Sequence, residues 1–292
     1  MKIAITGASG FVGRYLTDTL RHHDDVRTLA LTRKELPANA GEDACEWAQT
    51  DYSKESLVGL FAGVDAVIHL AGNKGDKTEL SDFDTDLLMM QNILDAMAET
   101  GVKRIVFASS RLVYGNPETV PWKEGYEPNP GMAYAVNKAR CEKLCLEYAD
   151  TYGFDAVIVR VAQVLGKGEG TRTMINVFQD LAKAGEPLTV IGRSVARRQY
   201  IYAKDLAEIL ALLAEREEGD SLIINAGMQN AYTNYELAEM MNRAYGSSAP
   251  INYDDSKPET ITSSYMDVEV LTNKIGYTPM DMEQALYDMA NS

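Results

Sequence analysis

A chain of 292 residues with 46% apolar side chains can bury a sizeable core and, at ~150 residues each, suggests two domains. Its 28 Lys and Arg against 43 Asp and Glu give a net charge of −15, which argues against nucleic acid or an anionic membrane surface as main partner. Cys45, Cys141 and Cys145 form no CxxC pair and read as free thiols in a reducing, cytoplasmic setting. His22, His23 and His69 share no ligand spacing, so no metal site is expected. No apolar run approaches the ~18 residues of a membrane span, and the first apolar stretch breaks at Gly7, too early for a signal peptide.

Residues 2–6 predict a strand, and 10–22 a helix with Phe11, Val12, Tyr15, Leu16 and Leu20 on one side. The stretches 26–31, 65–70, 103–108 and 156–161 are short, apolar and separated by helix-length segments, as parallel strands joined by helices must be. The fold class is therefore α/β, a doubly wound parallel sheet of Rossmann type with its ligand crevice at the strands' carboxyl ends. The dinucleotide-binding domain is expected over 1–165. A smaller, interleaved C-terminal α/β substrate lobe is expected over 166–292, opening with glycines 166, 168 and 170 and a helix over 173–184. Strands at 199–202 and 221–225 could rejoin the first domain. Thr233 and Glu236 form a capping box that opens a later helix.

Gly7-Ala-Ser-Gly10-Phe11-Val12-Gly13 lies directly between the first strand and the first helix. There Gly7 permits a tight turn, Gly10 lets a pyrophosphate approach helix-start amides, and Gly13 allows close packing of helix on strand. The GxxGxxG spacing resembles the short-chain dehydrogenase/reductase superfamily. Where NAD-binding chains place a carboxylate on the ribose, this one reads Leu31-Thr-Arg33-Lys34. A guanidinium there can pair with a 2′-phosphate, so NADP is favoured while NAD stays open. The resemblance implies that Asp51 and Tyr52, after the third strand, and Leu70, Ala71 and Gly72, after the fourth, also line the cofactor.

Tyr134-Ala-Val-Asn-Lys138 puts a phenol and an ammonium one helical turn apart, behind Pro128 and Pro130. A phenol ionises only near pH ~10 in water, so proton exchange near neutrality needs an adjacent cation. Ser110, at a predicted strand end, would hydrogen-bond the same substrate oxygen. Together these residues resemble the extended short-chain dehydrogenases, the NAD(P)-dependent epimerase/dehydratase family, nearly end to end. In that family the catalytic Ser or Thr lies four residues before the Tyr of a Val-Tyr-Gly element, here Tyr114, which selects Ser110 over Ser109.

The resemblance extends to Arg160–Gly166, Arg198–Asp205 and Leu271–Pro279, and implies substrate contacts by Gln163 and Arg198, the latter on a diphosphate. Departures are Gln163 for the family's Asn and Gln199 for its Asp. Arg111-Leu112 stand where dehydratases carry an Asp-Glu pair, which speaks against a 4,6-dehydratase. Between Arg160 and Asp205 basic residues outnumber acidic ones, a segment suited to a nucleotide-linked anion. Trp122 and Tyr126 could line a sugar pocket or pack their loop. The expected activity is epimerisation or reduction of a sugar, nucleotide-linked, by hydride transfer with tyrosine as acid and base. The alternatives are an NADPH-dependent reductase of a small non-nucleotide carbonyl compound and a non-catalytic NAD(P)-binding redox sensor, against which the joint presence of Ser110, Tyr134 and Lys138 argues. Helices near 82–100, with Leu87, Leu88, Met90 and Ile93, and 131–151 are candidates for a homodimer interface.

Overall fold

The computed structural model describes residues 1–37, 40, 45–73, 77–170, 172–216, 219, 221–259 and 262–292. In chain order the elements are β1 (Lys2–Thr6), α1 (Phe11–Leu20), β2 (Arg27–Thr32), β3 (Cys45–Gln49), α2 (Lys54–Leu60), β4 (Ala66–His69), α3 (Asp84–Thr100), β5 (Arg104–Ser110), α4 (Ala133–Tyr152), β6 (Asp155–Val161), β7 (Gln163–Leu165), α5 (Met174–Ala184), β8 (Leu188–Ile191), β9 (Arg198–Tyr202), α6 (Ala203–Glu215), β10 (Leu222–Ala226), β11 (Ala231–Tyr232), α7 (Asn234–Ala244), β12 (Ile251–Asp254) and α8 (Met282–Asn291). The chain divides into two compact units. The first is Met1–Gly115, Tyr126–Val161 and Leu206–Ile224; the second is Asn116–Gly125, Ala162–Asp205 and Asn225–Ser292.

Seven strands in the order β10-β6-β5-β4-β1-β2-β3 form the main sheet. The pairings from β6 across to β3 are all parallel, so helices must cross over its faces. Alternation decides which residues each face buries. On one face Ala4, Leu29, Leu31, Val67, Ile105, Phe107, Ala156 and Ile158 pack with Met90, Ile93, Leu94 and Met97 of α3 and Cys141 and Cys145 of α4. Their neighbours Ile3, Ile5, Ala30, Ile68, Val106, Val157 and Val159 are equally buried and point the other way. That second face is left to α1 and α6, which bury Leu16 and Leu20, and Leu206, Ile209, Leu210 and Leu213.

This is the doubly wound sheet that the periodicity predicts. Chain order reverses between β1 and β4, and the crevice at such a switch point is where ligands bind in sheets of this kind. Of the two later strands that could return to it, β10 does, beside β6. The other, 199–202, does not: β9 pairs in parallel with β7 and antiparallel with β11 in a separate three-stranded sheet. Gln199 explains this local preference. Its buried amide donates to the carbonyls of Met228 and Met266 and accepts from the Met266 amide, so the strand's polar contacts are met within the second unit.

The second unit adds a two-stranded parallel sheet of β12 and β8. Its core joins Phe178, Tyr200, Leu237, Met241, Leu286 and Met289. Thr233 and Glu236 form the expected capping box at the start of α7. Among the described residues no helix is long and apolar enough to cross a membrane.

Candidate active site

The turn after β1 is built so that only glycine fits. Gly7 has φ +71°, and a Cβ there would stand 2.8 Å from the Ala71 amide nitrogen; at Gly13 it would stand 2.4 Å from the Gly7 carbonyl oxygen. Gly10 begins α1, no side chain caps that helix, and its first turn carries no acid. Phe11 and Val12, half-buried in that first turn, follow the turn directly. Such a cradle fits a dinucleotide pyrophosphate. Tyr52 supports it from behind: this buried phenol accepts from the Gly7 amide at 3.0 Å and donates to the Leu31 carbonyl.

Thr6 joins the turn to the next loop. Its hydroxyl accepts from the amides of Leu70 and Ala71 and therefore has its own proton to give to His69 Nδ1, 2.7 Å away. With Nδ1 accepting, the neutral ring carries its proton on Nε2, and burial together with the Lys138 ammonium pushes the His69 pKa down to about 3. Gly72 is exposed at the end of this loop. Beneath it lies Asp86, a residue the sequence reading missed, whose carboxylate accepts from the Asn73 amide at 2.8 Å. Burial raises the Asp86 pKa. Only its place in the first turn of α3 could have signalled it. Arg33 is exposed and lines a cavity of about 520 Å³ with Gln49, Thr50, Asp51 and Ser56. The Asp51 carboxylate is held below its usual range by hydrogen bonds from the Ser53 amide and hydroxyl.

Tyr134 and Lys138 lie in the first turns of α4, both half-buried. Tyr134 meets the Phe83 ring edge-on at 6.0 Å. Lys138 Nζ donates to the Ala108 carbonyl at 2.9 Å, 4.7 Å from the Phe107 ring centre and 5.8 Å from that of Tyr134. Two residues beyond Ala108, Ser110 closes β5 and accepts from the Leu112 amide, leaving its hydroxyl proton to donate. Ser109 points to the other face and spends its proton on Glu142. These residues and the glycine cradle all belong to the first unit.

The model of the NAD dependent epimerase/dehydratase family matches residues 3–227. The chain belongs to this family. A solved structure, UDP-N-acetylglucosamine 4-epimerase from Bacillus cereus, is 32% identical, covers 100% of this chain and 98% of that one, and superposes with a TM-score of 0.90. A dTDP-glucose 4,6-dehydratase from an Actinoplanes species is 26% identical over 96% of this chain and 93% of its own length. A UDP-glucose 4-epimerase from Azospirillum brasilense is 26% identical over 95% of this chain and 87% of its own length.

In this epimerase/dehydratase-family chain, the residues expected to meet substrate lie in the second unit. Gln163 is in β7 and Arg198 in β9, both half-buried. The basic segment is less of a free patch than its composition suggests. Arg160 is buried against Glu142, while Arg172, Arg197 and Lys204 pair with Asp180, Glu236 and Asp288. Charge counting cannot see which charges meet: Glu142, Glu236 and Asp288 lie outside the counted window, and Asp180 lies within it on α5, eight residues after Arg172. Trp122 is 1% exposed and donates its indole N–H to the Pro117 carbonyl, so it packs its own loop.

Proposed function

We propose that this enzyme inverts a carbinol centre of a nucleotide-linked sugar by transient oxidation. The bound dinucleotide supplies the hydride acceptor and donor. Tyr134 takes the proton from the sugar hydroxyl and returns it, the Lys138 ammonium favours its phenolate form, and Ser110 donates to the same sugar oxygen as charge develops there. Gly7, Gly10, Phe11, Val12 and Gly13 would hold the pyrophosphate, with Leu70, Ala71 and Gly72 beside it and Tyr52 bracing the turn. The observation that carries this reading is the linkage of Lys138, one turn after Tyr134, to the Ala108 carbonyl two residues before Ser110. The nature of the sugar rests on relatives that act on UDP- and dTDP-linked substrates. Dehydration is not carried over, because Arg111 and Leu112 follow Ser110 and neither can act as a second acid and base.

Arg33 supports NADP as the cofactor, since a guanidinium pairs with a 2′-phosphate. In the second unit, Gln163 and Arg198 would contact the nucleotide sugar, Arg198 at the diphosphate. Leu88 on α3 is 60% exposed and Tyr152 on α4 is 55% exposed, which supports a homodimer through these helices; Met90 and Ile93 serve the protein's own core instead. Purified protein supplied with UDP-N-acetylglucosamine or UDP-glucose tests the assignment: Tyr134→Phe is expected to lower turnover by about 10²–10⁴-fold. Unchanged turnover in that variant would overturn it.

A further inference from the structure

Two successive turns of α4 grip two successive residues of β5. Lys138 donates to the Ala108 carbonyl at 2.9 Å, and one turn later Glu142 accepts from the Ser109 hydroxyl. Ser109 is opposite Arg160 in the register of β5 and β6. By strand alternation both side chains lie on the α4 face, where Arg160 donates to Glu142 through Nε at 3.2 and 3.3 Å and through Nη2 at 2.8 Å. The two charged side chains are 2% and 4% exposed. The Arg160 guanidinium lies 4.7 Å from the Tyr114 ring centre, in the turn that follows Ser110. Burial alone would depress the Arg160 pKa, but the Glu142 carboxylate and the Tyr114 phenol outweigh it and keep the guanidinium charged.

A buried ion pair is weak evidence for stability, because desolvating both charges offsets their attraction. What it does impose is geometry. The carboxylate can satisfy Arg160 and Ser109 together at only one helix position, and that position fixes where the start of α4 stands against the end of β5. We propose that Glu142 is a positioning residue: clamped by Arg160 and Ser109, it sets Tyr134 and Lys138 on α4 in register with Ser110 on β5. The inference rests on the catalytic reading of those three residues given above.

The test uses the full chain turning over UDP-N-acetylglucosamine or UDP-glucose. It measures kcat, KM, the pH profile of kcat, NADP affinity and urea stability for the parent, Tyr134→Phe, Ser109→Ala and the double variant Glu142→Leu with Arg160→Met. The double variant removes both charges at similar volume and is expected to fold with the parent's NADP affinity, its urea midpoint lowered only by the Ser109 hydroxyl left without its acceptor. Its kcat should fall at least tenfold with KM within twofold, and the acid limb of its pH profile should move up by at least half a unit, because a displaced ammonium stabilises the phenolate less. Ser109→Ala, which removes one hydroxyl and leaves the ion pair, is expected to fold and to show the same shift in smaller degree. If the double variant does not fold, Ser109→Ala decides alone. A folded variant of either kind with parental kcat and pH profile would overturn the positioning role, while a Tyr134→Phe protein with full activity would instead remove the catalytic reading beneath it.

Discussion

His69 shows how one buried side chain makes stability depend on pH. Free in an unfolded chain its imidazole titrates near ~6.5, whereas in the fold burial and Lys138 hold it at about 3. Above the unfolded value both states are neutral and the residue has no effect. As pH falls below that value only the unfolded chain takes up the proton, so stability is lost progressively until the folded ring also titrates near 3. Urea unfolding is expected to show a loss of about 1.4 kcal/mol between pH 7.5 and 5.5 from this group. The slope should be shallower in His69→Gln, and equal slopes would exclude His69 as its source. The proposed role of Arg33 in cofactor choice is tested at the same scale: Arg33→Asp should weaken NADP binding at least tenfold through loss of a charge-assisted pair and added repulsion, while NAD binding changes little. Titration calorimetry with both dinucleotides checks this, and a parallel loss for both would remove the 2′-phosphate contact.

At the scale of elements, alternation and capping do most of the work. β5 carries Ser109 and Ser110 side by side, yet the pleat sends the first to Glu142 and leaves the second at the strand end. The family spacing to Tyr114 singles out Ser110, but what each hydroxyl does, Ser109 on Glu142 and Ser110 at the strand end, depends on the register with α4. The start of α7 is the opposite case, since Thr233 and Glu236 are close in sequence and their reciprocal hydrogen bonds were legible directly. Thr233→Ala should cost about 1 kcal/mol by urea unfolding, from one orphaned helix amide; an unchanged midpoint would show that the cap contributes nothing. Gln199 was legible only as a departure from the family pattern. Its role became clear with the carbonyls of Met228 and Met266, which lie 29 and 67 residues away.

For the whole molecule, the net charge of −15 keeps copies apart, so any homodimer must bury enough apolar surface to overcome repulsion. Leu88 is the exposed apolar side chain of α3 best placed to contribute. Sedimentation at moderate salt is expected to give a dimer for the parent and a monomer for Leu88→Arg. A parent that sediments as a monomer, or a variant that remains dimeric, would exclude this face. The chain also weaves between its units: Asn116–Gly125 leaves the first for the second and Leu206–Ile224 returns. Compactness is a property of contacts and not of chain order, which is why each unit is assembled from separate stretches of chain.

The amino-acid sequence by itself determined the doubly wound sheet, the glycine turn and the pairing of Tyr134 with Lys138, because each is written in local spacing: strand runs, GxxGxxG and one helical turn. It also carried enough of the family pattern to identify the epimerase/dehydratase family. Tertiary structure alone decided that β9 lies outside the main sheet while β10 joins it, that Trp122 packs a loop, that Arg160, Arg172, Arg197 and Lys204 of the basic segment are paired, and that Asp86 and Glu142 stand beneath the site. Each of these depends on partners brought together across long stretches of chain, and hydrogen bonding and burial there are settled by which residues meet in space, which local spacing does not encode.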